Sequence, residues 1–565
     1  MDWLIGKMIL TIKEQEKFQE FLEKNELVSL IQLYSKKLGG EAKCELFESA
    51  ADQIIGVAGS FLSSDQRSSF GGIISLAYSM MFALPEALDV ARKFNSEFSE
   101  TRVFEIAKWK GDFGVVKSVL SKHPDWMSSF EYQQFLVESA IPHMRMQKLS
   151  ESSNLNKGIL GYELDLAVFN QIKADLNIPC EHAVKQTLLR MQQEGNRNYA
   201  KQALLSKELG WLGVVKPDLV EIANDRVNYI SRRDIRSNLE QVLANSFSEG
   251  DLARSKRRIV KQLQKGDSNE LFPLASNIFL VEEEGIAVVY KENLRQYLDF
   301  SRVGGYSQEK EILERVDNPN IVRYFGTYDI EGVEFLRLKF IEGTCLSKYT
   351  HKNELLDLMS VVKIITTIAN TIDYLGSEGI VYNDVKSTNF ICVSDSSGTI
   401  EDVIMYDFGM SRLLEPNDLT SEGHVPSGFC CRSVLSTPKY IPPEMALEFK
   451  SYKHSDVFQL GILFYELLTG EHPFSRVEFK QGDAYRESEV LMYGLANAYN
   501  EPNLNCDKLV EYEELGDLIG DMLIKNPTER ISMQDVSRRL GDYQISQEHV
   551  SKLNCGGEVK NELWV

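Results

Sequence analysis

The feature that most constrains this chain is a change of apolar period near Gly266. From the start to about residue 255, apolar residues recur at spacings of three and four, as in EKFQEFLEKNELVSLIQLYSKKL and EALDVARKF, with almost no alternating runs. Such spacing puts apolar side chains on one helical face. Beyond Gly266 short alternating runs take over, SNIFLVEEEGIAVVYKE and GVEFLRLKF, which read as antiparallel strands with tight turns. From about Leu355 the helical spacing returns. A chain of 565 residues exceeds the roughly 100 to 200 residues of one domain. The expected organisation is therefore multidomain: an all-α N-terminal region, then an α+β part made of a small β-rich piece and a larger helical one.

Composition narrows the function classes. With 43% hydrophobic and 26% charged residues, the chain is neither mostly disordered, collagen-like nor wholly membrane-embedded. Sixty-two Lys and Arg against 83 Asp and Glu give a net charge of -21, which opposes long-range attraction to nucleic acid or anionic membrane. No nucleic-acid partner is expected. The eight cysteines are scattered, with no Cys-x-x-Cys and no zinc-like His cluster. They read as reduced thiols, and a cytoplasmic location is the expectation. The N-terminal MDWLIGKMILTIKEQEKFQEF has too short an apolar run for a signal peptide and no small-residue cleavage site. The longest apolar stretch, Phe70 to Pro85, falls short of the roughly 20 residues that cross a bilayer. It is expected to be a buried core helix, and no transmembrane segment is expected.

Within the N-terminal region, VFEIAKWKGDFGVVKSVLSKHPDW reads as two helices joined at Gly111-Asp112, and the G-x-x-G-V-V-K pattern recurs at Gly210 to Lys216. Helical hairpins can stack into a solenoid, but two partial copies do not establish a period. A basic run follows, with Arg232, Arg233, Arg236, Arg254, Lys256, Arg257, Arg258 and Lys261. It reads either as a solvated linker or as a docking surface for an acidic partner.

The residues that carry chemistry lie between Lys291 and Arg530. GIVYNDVKSTNFICV holds Asp384, Lys386 and Asn389 in the spacing D-x-K-x-x-N, and VIMYDFGMSRLL follows with Asp407-Phe408-Gly409. Upstream, IAVVYK ends a strand-like run on Lys291, and YSQEKEILERVDNPNIVRYF contains Glu309 ten residues before Pro319. Downstream come STPKYIPPEM, SDVFQLGILFYELLTGEHPF and NPTERIS with Arg530. Seven pieces in this order resemble the eukaryotic-type (Hanks-type) serine/threonine protein kinase domain over about residues 268–542, roughly half the chain. The resemblance implies a bilobal fold, with ATP and Mg²⁺ as cofactors and a protein substrate. It makes Lys291 the phosphate-reaching lysine, held by Glu309. Asn389 and Asp407 become the magnesium ligands, and Asp384 the group that takes the acceptor hydroxyl proton. Lys386 is the family's cation for the transferring phosphoryl group. Leu338 falls at the gatekeeper, with Lys339 to Ile341 supplying backbone to the adenine. Arg530 is implied to pair with Glu444.

Several departures matter. There is no G-x-G-x-x-G; Ala275, Ser276 and Asn277 stand near the expected hairpin turn, where Ser276 and Asn277 could donate hydrogen bonds in place of glycine amides or could form an ordinary turn. The H-R-D triplet reads Tyr382-Asn383-Asp384, which removes the arginine that reads a phosphorylated activation loop. Tyr382 can still take the histidine's packing place. The segment between Asp407 and Glu444 is long and holds Thr420, Ser421, Ser427, Ser433, Cys430 and Cys431. The expected divisions are 1–255 helical, with a helical-hairpin or solenoid-like stack as one form, for partner binding or regulation; 256–267 a basic linker; 268–343 a small lobe; 344–542 a large lobe; and 543–565 a tail. The expected function is phosphoryl transfer to protein Ser/Thr hydroxyls, the alternative being a catalytically weak or inactive pseudokinase scaffold acting by protein-protein interaction.

Overall fold

A computed structural model describes residues 64–80, 83–136, 239–248, 257–265, 276–293, 308–413, 424–426, 438–474 and 493–555, apart from short breaks, with 31 and 48–52 besides. The chain divides into two compact units. One comprises Phe82–Tyr306 with Tyr324–Phe340, the other Met1–Met81, Ser307–Arg323 and Ile341–Val565.

In the first unit, helices α2 (Leu84–Lys93), α3 (Glu97–Lys110) and α4 (Phe113–Leu120) follow one another; α1 (Ser64–Met80) belongs to the second unit. The expected helix break falls at Asp112, whose carboxylate caps α4 by accepting the Val115 N–H at 3.1 Å. Arg92 ties the three helices, donating to Glu100 at 2.8 Å and to Ser118 Oγ at 3.1 Å. The second G-x-x-G-V-V-K copy lies outside the described residues. The apolar run read as a core helix is α1 through Met80, with Ile73, Ile74, Leu76 and Ala77 buried.

Helix α5 (Leu239–Ser248) then precedes five antiparallel strands: β1 (Arg257–Gln264), β2 (Ile278–Glu283), β3 (Ile286–Glu292), β4 (Tyr324–Ile330) and β5 (Val333–Lys339). They form one sheet in the order β1-β2-β3-β5-β4. The β2–β3 turn is the pair Glu284 and Gly285, both in the left-handed region at φ 55° and 85°, the two-residue geometry that matches strand twist. Pleating sends Phe279, Val281, Val288, Tyr290, Val333 and Phe335 to one face, where α5 covers them with Leu239, Leu243 and Phe247. By the same register Leu280, Val289, Lys291, Leu336 and Leu338 take the opposite face.

Three expected boundaries change. The stretch 256–267, expected as a basic linker, holds β1. Two of its charges pair across the strands, Arg257 with Glu283 and Arg258 with Glu282 at 2.7 Å, and register shifts after Ile259 and Gln262 break the alternation that would have marked a strand. The block 268–343, expected as one lobe, is divided. Ser307–Arg323, with α6 (Glu309–Arg315), belongs to the second unit, where Gln308 accepts the Leu413 N–H at 2.7 Å and Val322 donates to Met405 O at 2.9 Å. The expected tail at 543 falls inside a helix, because the next breaker in sequence is Gly556-Gly557.

The second unit continues with β6 (Thr344–Cys345), α7 (Leu358–Ser377), β7 (Ile380–Val381), β8 (Phe390–Ser394), β9 (Ile400–Met405), β10 (Arg412–Leu413), β11 (His424–Pro426), α8 (Pro443–Glu448), β12 (Lys450–Tyr452), α9 (Lys453–Thr469), α10 (Glu513–Met522) and the helix α11 (Met533–Cys555) that overruns 543. Asp357 caps α7 by accepting the Ser360 N–H at 2.9 Å. Alone among the described helices, α7 is long and apolar enough to cross a membrane by length and composition, yet half of that apolar stretch is buried here, and it packs against α9, α11 and β9 as a core helix. Helix α9 is buried along most of its length.

Candidate active site

The loop between β7 and β8, Tyr382 to Asn389, is held by α9. Asp456 accepts the Tyr382 N–H at 2.9 Å and the Asn383 N–H at 2.7 Å. Gln459 accepts the Val385 N–H at 2.9 Å and donates to Asn383 O at 3.1 Å. These four bonds fix Asn383 at φ 64°, a left-handed conformation that Asn tolerates better than most residues. Burial pushes the Asp456 carboxyl up to about 7; the two backbone N–H groups oppose the rise and the neighbouring Asp384 adds to it.

Within this loop the sequence-expected residues converge. Asp384 Oδ2 lies 2.7 Å from Lys386 Nζ and accepts from Asn389 Nδ2 at 2.8 Å. Asn389 Nδ2 also donates to the Asp384 carbonyl at 2.9 Å. With its amide nitrogen turned to Asp384, Asn389 keeps Oδ1 as the group suited to a cation.

Tyr382 does what its ring suggested. It packs edge-on against Phe408 at 5.3 Å, and its hydroxyl donates to Tyr406 O at 2.6 Å. Complete burial, with Asp384 and Asp407 nearby, holds the phenol well above its ordinary pKa, so it stays a donor. The Asp407 turn is equally constrained. Asp407 sits at φ 63°, and the Gly409 N–H points at its Oδ1 at 3.4 Å. A Cβ at Gly409 would lie 3.2 Å from that oxygen, so a side chain there would crowd the carboxylate. Glu309 Oε1 accepts the Phe408 N–H at 3.2 Å, so α6 is fastened to this turn.

The segment after the long insertion is tied to the same loop. Tyr440 donates to Glu466 Oε2 at 2.7 Å and reaches Ser387 Oγ at 3.4 Å. Lys439 lies 2.5 Å from the other Glu466 oxygen. Asn497 donates to the carbonyls of Lys439 and Ile441, each at 3.1 Å. Glu444 and Arg530 form the implied pair, two-pronged at 2.9 and 3.0 Å. Thr420, Ser421, Ser427, Cys430, Cys431 and Ser433 lie outside the described residues.

The remaining expected residues belong to the first unit, except Ile341, which is half-buried at the start of the second unit's last segment. Lys291 sits on β3 opposite Leu336, Leu338 is buried on β5 opposite Val289, and exposed Lys339 ends that strand. Ser276 and Asn277 are buried just ahead of β2. The Asn277 backbone N–H and its Nδ2 both donate to Glu292 Oε2, at 2.9 and 2.8 Å. These donors pin the strand pair. Sequence reasoning missed Asp456, Gln459, Glu466 and Asn497; only the S-D-V of Ser455 to Val457 gave a signal.

Among the described residues no group of three or more His, Cys, Asp and Glu is placed to cage a metal. Magnesium suits a sparser set of one or two protein oxygens completed by phosphate and water. Asn389 Oδ1 and the Asp407 carboxylate are such hard donors, so the residues fit the ion.

Comparison with known proteins points to the family that the motifs resemble. A family profile described as the protein kinase domain matches residues 281–539. A probable serine/threonine-protein kinase, PknB of Lactococcus lactis, is 26% identical over 225 residues, 40% of this chain and 33% of that protein. The serine/threonine-protein kinase PknJ of Mycobacterium tuberculosis is 29% identical over 233 residues, 41% of this chain and 37% of that protein. A probable myosin light chain kinase of Dictyostelium discoideum is 27% identical over 230 residues, 40% of this chain and 65% of that protein. The chain thus spans about a third of the length of the two bacterial relatives.

Proposed function

We propose that the protein kinase domain formed by residues 281–539 transfers the γ-phosphoryl group of ATP to serine or threonine hydroxyls of a protein substrate. The observation that carries the reading is the Asp384 carboxylate held between Lys386 at 2.7 Å and Asn389 at 2.8 Å. Asp384 accepts the acceptor hydroxyl proton and orients the oxygen for in-line attack. Lys386 offsets charge on the transferring group, and Lys291 reaches the α and β phosphates. Magnesium, when bound, neutralises charge on the phosphate oxygens, with Asn389 and Asp407 to hold it. Tyr382, Asp456 and Gln459 keep the loop in place without a mobile part, which suits a transfer that depends on positioning.

One observation favours the scaffold reading: Asn277, a candidate phosphate donor, is committed to Glu292. Incubating the full chain with Mg-ATP and a generic acceptor, beside Asp384→Ala and Asp407→Ala, separates the two. Phosphate incorporation by the parent chain alone supports transfer; equal incorporation in all three sinks it.

We read residues 1–255 as all-α and as a recruiting or regulatory module for a protein partner, on the strength of α1 to α5 and the helical spacing elsewhere. A cytoplasmic location accords with the free thiols of Cys345, Cys392 and Cys506.

A further inference from the structure

One face of the five-stranded sheet carries an apolar cluster, and a helix from outside the family match covers it. Helix α5 lies upstream of residue 281 and contributes Leu239, Leu243 and Phe247, all buried at intervals of four, the row that forms one ridge on a helix. Phe247 meets Tyr290 edge-on at 5.9 Å and Tyr328 at 5.9 Å. Tyr290 and Tyr328 are themselves edge-on at 5.5 Å, and Ser246 Oγ is hydrogen-bonded to the Tyr328 hydroxyl at 2.7 Å. Below the rings, Glu283 on β2 takes Arg257 from β1 and Arg337 from β5, each at 2.6 Å. Burial works against the Glu283 anion, but the two guanidinium groups prevail and hold it ionised. Tyr290 is fully buried at the centre of this cluster, and burial pushes its phenol up to about 12.

Tyr290 is the residue before Lys291. Because successive strand side chains point to opposite faces, the ring that α5 grips and the ammonium on the other face share one rigid stretch of β3. We propose that α5 belongs to the catalytic unit and that Phe247 is a positioning residue for Lys291, acting through the Tyr290 ring to fix where β3 delivers the ammonium. The inference rests on the reading of Lys291 as the phosphate-binding lysine. It gives the N-terminal half a physical route to the nucleotide: whatever moves α5 on the sheet moves β3. A small shift of a positioned group costs catalysis heavily, and couplings of this sort change affinity by about 5- to 150-fold.

The test uses the full chain and four variants, Phe247→Ala, Phe247→Leu, Ser246→Ala and Lys291→Met, measuring KM for ATP, KM for an acceptor peptide, binding of a fluorescent ATP analogue, and melting temperature. Phe247→Ala is expected to raise KM for ATP and weaken analogue binding about fivefold or more, with the acceptor KM unmoved and most of the loss recovered in Phe247→Leu. If Phe247→Ala does not fold, Ser246→Ala decides: a smaller shift in the same direction supports the inference, and unchanged nucleotide constants overturn it. A Phe247→Ala chain that melts lower but keeps its ATP constants overturns the positioning role. Should Lys291→Met cripple nucleotide use while Phe247→Ala and Ser246→Ala leave it untouched, the inference alone fails. Should Lys291→Met change nothing, or the parent chain neither bind nor transfer, the underlying reading of Lys291 fails and the inference with it.

Discussion

Replacing Glu444 by Gln removes the anion from the most buried ion pair among the described residues of the second unit. The Glu444 side chain is 2% exposed and that of Arg530 0%. The guanidinium keeps its bonds to the carbonyls of His454 at 2.6 Å, Ile524 at 2.8 Å and Lys525 at 3.1 Å, so its N–H groups stay largely satisfied, but its charge does not. Ser455, which donates to Glu444 Oε1 at 2.6 Å, also loses a charged acceptor. Breaking one side of a pair buried this deeply costs about 3–5 kcal/mol. For a domain of this size that is a fall in melting temperature of roughly 6–20 °C. Denaturant unfolding of the two single variants and of Glu444→Gln with Arg530→Met measures it. The double variant should cost less than the sum of the singles by about 0.5–3 kcal/mol, since it leaves no lone charge. A Glu444→Gln loss below about 1 kcal/mol, or strict additivity, would refute the claim that this charge is uncompensated elsewhere.

Asp456 predicts a pH dependence of definite sign. Its folded pKa of about 7 lies above the ordinary 3.8, so the folded chain keeps a proton that the unfolded chain has lost. The contribution to stability is fully present below about pH 4 and disappears as pH rises through 7, a swing on the order of a few kcal/mol; unfolding curves of the parent and Asp456→Asn that stay parallel across that range would contradict it. Tyr382→Phe leaves the carbonyl of half-buried Tyr406 without its donor and should cost about 1–3 kcal/mol, read by calorimetry, with kcat falling alongside. Asn497→Ala frees the carbonyls of Lys439 and Ile441 and should cost about 1–3 kcal/mol of stability, read by denaturant unfolding; an unchanged midpoint would contradict it.

What the sequence made legible was local chemistry. Asp384, Lys386 and Asn389 lie within six residues of one another, and a loop that short brings them together whatever surrounds it. Lys291 was legible because it ends the apolar, strand-like run IAVVYK. Strand β1 was hidden, since its bulges spoil the period and its arginines look like a solvated run until Glu282 and Glu283 are opposite them. The role of α5 was hidden for a related reason: its apolar row says only that something is covered, and the thing covered, the face carrying Phe279, Tyr290 and Phe335, is built from three other strands. Asp456 was quoted as part of a motif, but its grip on Tyr382 and Asn383 spans more than seventy residues. The bonds of Asn277 turned on a carboxylate two strands away in sequence, Glu292, which no local pattern announces.

The central claim is that Asp384 directs phosphoryl transfer to an aliphatic hydroxyl. A mixture of serine, threonine and tyrosine peptides, incubated with the full chain and Mg-ATP and mapped by mass spectrometry, tests it directly beside Asp384→Asn. The account predicts phosphate on serine and threonine, none on tyrosine, and a loss of at least about a hundredfold in the variant. Phosphate on none of the peptides, or the same yield from Asp384→Asn, would contradict it.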